Sequence, residues 1–215
     1  MSDWIGPTFF SVAILSFLVT LIQSVLRPSI KSLQSKVDLV GESLRTLCDG
    51  LMTDLASKLA ISHKDDSRAS LYVHDGNSHF VLIGRYSPNP VLRKPGRPFY
   101  PDDQGCIAKG WQQGWSFENT LGNGANYTRN TEARYGIPTA DIVRFAMKSK
   151  LLGAHRVDSN GEPIAVVLVE SMRQDRFDEQ ALEAALSQFS TDYAPMLKAF
   201  RAYAPTPSIA KASGL

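Results

Sequence analysis

The sequence predicts an α+β fold from three observations. Two pairs of short β-branched and aromatic runs read as hairpins, a long proline-rich and glycine-rich stretch separates them, and amphipathic helical periodicity brackets the whole. The expected architecture is an antiparallel sheet with helices packed on one face, preceded by a transmembrane helix and a coiled-coil-like stalk. The divisions are 4–26 for the membrane helix, 27–61 for the stalk, 62–203 for the globular domain and 204–215 for a disordered tail.

Residues 4–26, WIGPTFFSVAILSFLVTLIQSVL, carry no charge and are long enough as a helix to cross a hydrocarbon core of roughly 30 Å. A cleaved signal would need a basic n-region, whereas this chain starts Met-Ser-Asp and runs on into Arg27-Pro28. Arg27, Lys31 and Lys36 follow the span and no Lys or Arg precedes it, which places the C-terminal side in the cytoplasm. The expected location is the cell inner membrane, single-pass. Ser16, Thr20, Gln23 and Ser24 fall near one stripe of that helix, where backbone hydrogen bonding is their ordinary role.

In the stalk, Ile30, Leu33, Val37, Val40, Leu44, Leu47 and Leu51 alternate steps of three and four, a heptad seam that predicts a homodimer. After Leu51 the apolar set widens to Leu51, Met52, Leu55 and Leu59, a face suited to packing on a globular core. Next, SLYVHD and HFVLIGRYS flank Gly76-Asn77-Ser78 as the first hairpin. By alternation Tyr72 shares a face with His74, and Arg85 with Ile83. The stretch 88–103 is read as a loop with a basic cluster at Arg93, Lys94 and Arg97, within reach of anionic lipid. CIAKGWQQG reads as a short helix capped by Gly114, 121–138 as a glycine-rich and polar region, and TADIVRFAMK as another short helix. KLLGAHRV and PIAVVLVES flank Asp158-Ser159-Asn160-Gly161 as the second hairpin. The last helix places Leu182, Leu186, Phe189, Tyr193, Leu197 and Phe200 on one face, is capped by Asp178-Glu179, and is expected to kink or break near Pro195.

Composition narrows the function. With 23 Lys and Arg against 21 Asp and Glu, nothing in the overall charge calls for nucleic acid. Two cysteines, Cys48 and Cys106, are too few for a disulfide scaffold or a cysteine-rich zinc site and fit a reducing compartment. His63, His74, His79 and His155 lack metal-ligand spacing, and no phosphate loop appears.

The turn and short helix in DQGCIAKGWQQG, the hairpin around DSNGEPIAVVLVES and the following DRFDEQALEAAL together resemble a GAF domain over roughly residues 50–202. The resemblance implies a six-stranded antiparallel sheet, terminal helices used for dimerisation, and a ligand pocket on the opposite sheet face, roofed by 88–106 and 116–148. Some proteins of this kind reduce free methionine sulfoxide through cysteines near this turn. Their Gly-Val-Cys-Gly arrangement is replaced here by Gly105-Cys106-Ile107-Ala108, and the only other thiol, Cys48, lies in the stalk. The cyclic-nucleotide pattern is also missing, because Phe177 abuts Asp178-Glu179 and no Asn-Lys pair precedes it.

The candidate ligand-binding residues are Tyr72, Arg85, Trp111, Trp115, Phe117, Tyr127, Arg129, Tyr135, Arg144 and Phe145, an aromatic and basic set suited to stacking a ring and pairing an anion. The expected function is a membrane-anchored sensor, not an enzyme, that binds a small ligand or partner and signals through a dimeric stalk to an output protein in trans. A ligand-gated membrane effector that clusters its spans, and a free methionine sulfoxide reductase, are the alternatives.

Overall fold

The apolar residues of the two hairpins alternate strictly enough to give one sheet two buried faces, and helices close both. The computed structural model describes residues 15–22, 30–63, 65–94, 97 and 99–201. Residues 15–22 are helical (α1), and α2 spans Ile30–Lys58. The predicted membrane span 4–26 therefore falls largely outside the described residues, and the tail 204–215 lies wholly outside them. Among the described residues no helix is long and apolar enough to cross a membrane.

Six strands follow in one sheet: β1 Ser67–His74, β2 His79–Tyr86, β3 Phe99–Pro101, β4 Trp115–Glu118, β5 Leu151–Ser159 and β6 Glu162–Ser171. Their spatial order is β3-β2-β1-β6-β5-β4, and every neighbouring pair is antiparallel. Both predicted hairpins are present. Asp75 Oδ1 accepts from the backbone N–H groups of Asn77, Ser78 and His79 to tighten the first. Asn160 and Gly161, at φ 54° and 78°, make the second a two-residue turn of the kind that matches strand twist. Between the hairpins lie α3 Pro90–Arg93, α4 Gly105–Gln113, α5 Gly124–Tyr135 and α6 Thr139–Val143, and α7 Glu179–Arg201 closes the chain.

The chain divides into two compact units between Glu42 and Ser43, inside α2. The second half of α2 thus belongs to the folded domain, where Cys48, Met52 and Leu55 are buried with Leu51 and Leu59 beside them. That matches the widening of the apolar set after Leu51, and it carries the domain further toward the N-terminus than residue 62. One sheet face packs on this helix and on α7 through Leu71, Val73, Val167, Val169, Leu182 and Leu186. Packing is close enough that α2 crosses β2 at a glycine: a Cβ on Gly84 would stand 2.7 Å from the Cys48 backbone. Helix α7 runs through Pro195 without a break, contrary to the expected interruption. Leu182, Leu186, Phe189, Ala194 and Leu197 all bury on the sheet, and that packing outweighs the one N–H that proline removes. Asp178 caps it, accepting from Ala181 N at 3.0 Å.

Four further elements differ from expectation, for the stretch 88–103, read as a loop, contains α3 and β3. WSFE forms β4 on β5, and the polar region after it contains α5, which buries Tyr127, Thr131 and Tyr135 at steps of four. The second sheet face is covered by α4, α5 and α6 with their connections; α5 and α6 lie within the expected roof, whereas α4 falls between its two segments, and helices pack on both faces rather than on one.

Candidate functional site

Strand alternation sends Arg68, Ser70, Tyr72 and His74 of β1 to the face opposite α2 and α7, alongside Leu168 and Glu170 of β6 and Leu152 of β5. The roof does not fill this face. A cavity of about 490 Å³ remains between the sheet and 91–149, floored by Arg68, Tyr72, Arg85, Leu152, Leu168 and Glu170. Its walls come from Cys106 and Ile107 of α4, Tyr127 and Tyr135 of α5, and Leu121, Phe145 and Met147 of the connections. Lys94, Arg97, Asp141 and Arg144 stand among the residues of α3, α6 and the loops beside them.

Arg85 reaches this floor because of a register slip. Leu71 pairs with Gly84 but Tyr72 pairs with Leu82, so Ile83 is an extra residue and alternation along β2 is reversed beyond it. The expectation that Arg85 and Ile83 share a face is therefore corrected: Ile83 packs with the α2 and α7 side, and Arg85 lines the cavity. Asp49 of α2 accepts from the Arg85 backbone N–H at 2.7 Å beside the slip. One residue consequently joins the cavity floor to α2.

The floor is a hydrogen-bonded charge network. Arg68 binds Glu170 through two bonds, Nε to Oε2 at 2.5 Å and Nη2 to Oε1 at 3.0 Å, and Ser149 donates its hydroxyl to Glu170 Oε1 at 2.8 Å. Burial pushes the Glu170 carboxyl up, but the Arg68 charge and hydrogen bonds, with Arg85 nearby, outweigh it and hold the group below the ordinary carboxylate range. Arg85 donates to Ser70 Oγ at 3.0 Å, to the Lys94 carbonyl at 2.9 Å and to the Tyr72 hydroxyl at 2.9 Å. Burial raises the pKa of Tyr72, which stays neutral, and pushes that of Tyr127 up to about 12.

Of the predicted residues, Tyr72, Arg85, Tyr127, Tyr135, Arg144 and Phe145 line the cavity. The other four do not. Trp115 and Phe117 lie on the β4 positions paired with His155 and Gly153 and pack into the α7 side. Trp111 stacks on His74, with ring centroids 4.5 Å apart. Arg129 is exposed on α5 and bonds Asn126 Oδ1. Sequence reasoning missed Arg68 and Glu170, although the polar stripe Arg68-Ser70-Tyr72-His74 and a lone acid in PIAVVLVES were both visible signals.

Cys106 lies on the cavity wall at the start of α4, 5% exposed. A helix N-terminus favours a thiolate, but burial pushes this thiol up to about 12, so it stays protonated at neutral pH. Cys48, pushed up to about 11 by burial and Asp49, sits in the apolar cluster on the opposite face. The sheet separates the two thiols. No group of His, Cys, Asp or Glu among the described residues is arranged to hold a metal ion.

No sequence-family profile matches this chain, and no curated protein matches it in sequence. Solved structures do. The GAF domain of an Acinetobacter phosphoenolpyruvate-protein phosphotransferase superimposes with a TM-score of 0.53 at 15% identity, covering 81% of this chain and 97% of that one. The corresponding domain from Coxiella burnetii gives 0.53 at 13%, covering 78% and 92%. A type II free methionine-R-sulfoxide reductase from Thermoplasma acidophilum gives 0.53 at 17%, covering 74% and 96%. Strand order, the helices on each face and these superpositions agree: the chain contains a GAF-like domain.

Proposed function

We propose that this chain is a membrane-anchored sensor whose GAF-like domain takes up a small molecule and passes its occupancy along α2 to an output protein in trans. The observation that carries the reading is the cavity of about 490 Å³, a size typical of ligand pockets, with charged groups buried on its floor. A purely structural layer gains nothing from charges taken out of water, because desolvation roughly cancels their attraction. Transmission has a physical route in Arg85, whose side chain meets the cavity while its backbone is held by Asp49 of α2.

The anchor and the dimer are parts of this proposal. Support for the anchor is the charge-free run 4–26 with basic residues after it, and in the described part Leu15, Phe17, Leu18, Val19, Leu21 and Ile22 all expose their side chains. Support for a dimeric stalk is the exposure of the seam residues Val40 and Leu47, at 48% and 58%. Native mass spectrometry of the full chain purified from detergent-extracted membranes tests the reading. A co-purifying small molecule, in a protein that resists carbonate extraction, is the expected result; a soluble chain that never carries a ligand overturns it.

The Thermoplasma structure favours a second reading, a reductase for free methionine sulfoxide. Cys106 lines the right cavity for it, but a thiol with a pKa of about 12 is a poor nucleophile at neutral pH. Incubation with methionine sulfoxide and a thiol reductant should give no turnover. Turnover that Cys106→Ser abolishes would replace the sensor reading.

A further inference from the structure

We infer that the molecule recognised in this cavity is an organic anion whose carboxylate or phosphate pairs with Arg85. The inference rests on the sensor reading above and specifies the chemistry of its ligand. The cavity floor holds two arginines in different situations. Arg68 is neutralised by Glu170, which also accepts from Ser149. Arg85 is only 5% exposed, yet no carboxylate among the described residues lies within ion-pairing distance of its guanidinium. Its three hydrogen bonds go to a serine hydroxyl, a backbone carbonyl and a tyrosine hydroxyl, all neutral groups.

A guanidinium has five N–H donors in a fixed planar fork, so this set leaves donor capacity unused on a residue that lines the cavity. Buried charges are ordinarily paired, because an isolated one loses its hydration without compensation. An anion in the cavity supplies the missing partner, and a carboxylate or phosphate matches the fork geometry. Tyr72 adds to the same site. Its hydroxyl already accepts from Arg85, which leaves its own proton available to a ligand oxygen.

The rest of the cavity agrees in sign. Lys94 and Arg144 add positive charge, while Asp141 is offset by Arg97 at 3.7 Å. Walls of Ile107, Leu121, Tyr135 and Phe145 ask for an apolar or aromatic body behind the anionic group. An inorganic anion alone would leave those walls wet.

The test uses fluorine NMR of three probes, 4-fluorobenzoate, 4-fluorophenyl phosphate and the neutral 4-fluorobenzamide, titrated to millimolar concentration with the full chain. Both anions should bind at least about tenfold more tightly than the amide, the discrimination expected of a charge-assisted hydrogen-bonded pair. The preferred anion tells carboxylate from phosphate ligands. Arg85→Met should bring the ratio close to one, and Arg85→Lys should restore part of it. Because Arg85→Met removes three hydrogen bonds and can unfold the site, the wild-type comparison stands alone as a test. Equal binding of the amide and the anions, or a ratio that Arg85→Met does not move, overturns the anion assignment but leaves a ligand sensor. No binding of any probe overturns both.

Discussion

On β1, Leu71 and Val73 point into an apolar layer beneath α2 and α7, whereas Tyr72, between them, and Arg68 line a cavity with charged groups on its floor. The same contrast holds on β6 between Val167 or Val169 and Glu170. The α2 and α7 face is closed to the point that glycine is required at its crossings. A Cβ on Gly84 would meet the Cys48 backbone, and one on Gly153 would stand 2.5 Å from Leu182 Cδ2. The opposite face keeps open volume and holds ions away from water. Two sides of one set of strands thus differ in packing: the first is solid, and the second leaves open volume, which the sensor reading proposed above gives to a ligand.

The largest test of that contrast is the Arg68–Glu170 pair. Arg68→Leu alone should cost about 3–5 kcal/mol in urea unfolding of the full chain, because it leaves a buried carboxylate unpaired. Replacing both residues with leucine should recover most of that loss; a double variant as unstable as the single one would show that the pair holds the fold after all. Its pH dependence follows from the depressed Glu170 pKa. A carboxyl whose folded pKa lies below its unfolded value of about 4.3 contributes stability that is fully present above that pH and lost as pH falls through the folded value. The wild type should therefore lose more stability than the double-leucine variant as the pH drops below about 4.

Leucine truncation on the two faces sharpens the comparison. Leu186→Ala, at a fully buried position under the sheet, should cost about 2–4 kcal/mol, with the cavity it leaves adding to the lost transfer energy. Leu168→Ala enlarges a space that already exists and should cost about 1–2 kcal/mol less. Equal losses would mean that the cavity side is packed as a core. Gly84→Ala, where one methyl group meets the α2 backbone at 2.7 Å, should cost about 1–3 kcal/mol by forcing the helix off the strand. A neutral result would show that α2 is not held tightly there.

Much of this architecture was legible along the chain. Gly76-Asn77-Ser78 and Asn160-Gly161 mark both hairpins, and the leucines of α7 mark its buried face. β4 escaped because four residues of WSFE are too few to show alternation, and its pairing with β5 is what makes it a strand. Helix α5 escaped because GANYTRNTEARY is polar overall, although Tyr127, Thr131 and Tyr135 already formed a stripe. The candidate site was legible in its roof, where Tyr127, Tyr135, Arg144 and Phe145 stood out as aromatic and basic. On its floor Tyr72 and Arg85 stood out as well, but Arg68 and Glu170 did not.

Periodicity and turn chemistry act between residues a few positions apart, and these by themselves determined the α+β class, the caps of α4 and α7 and the two hairpins of this protein. Only the tertiary structure decided which face is solid and which is hollow. It brought Arg68 against Glu170 across 102 positions of sequence, and a one-residue slip in β2 turned Arg85 away from α2 and toward the cavity. Local rules cannot foresee either outcome, because a single extra residue reverses every alternation beyond it, and the partner that neutralises a buried charge is chosen by strand pairing.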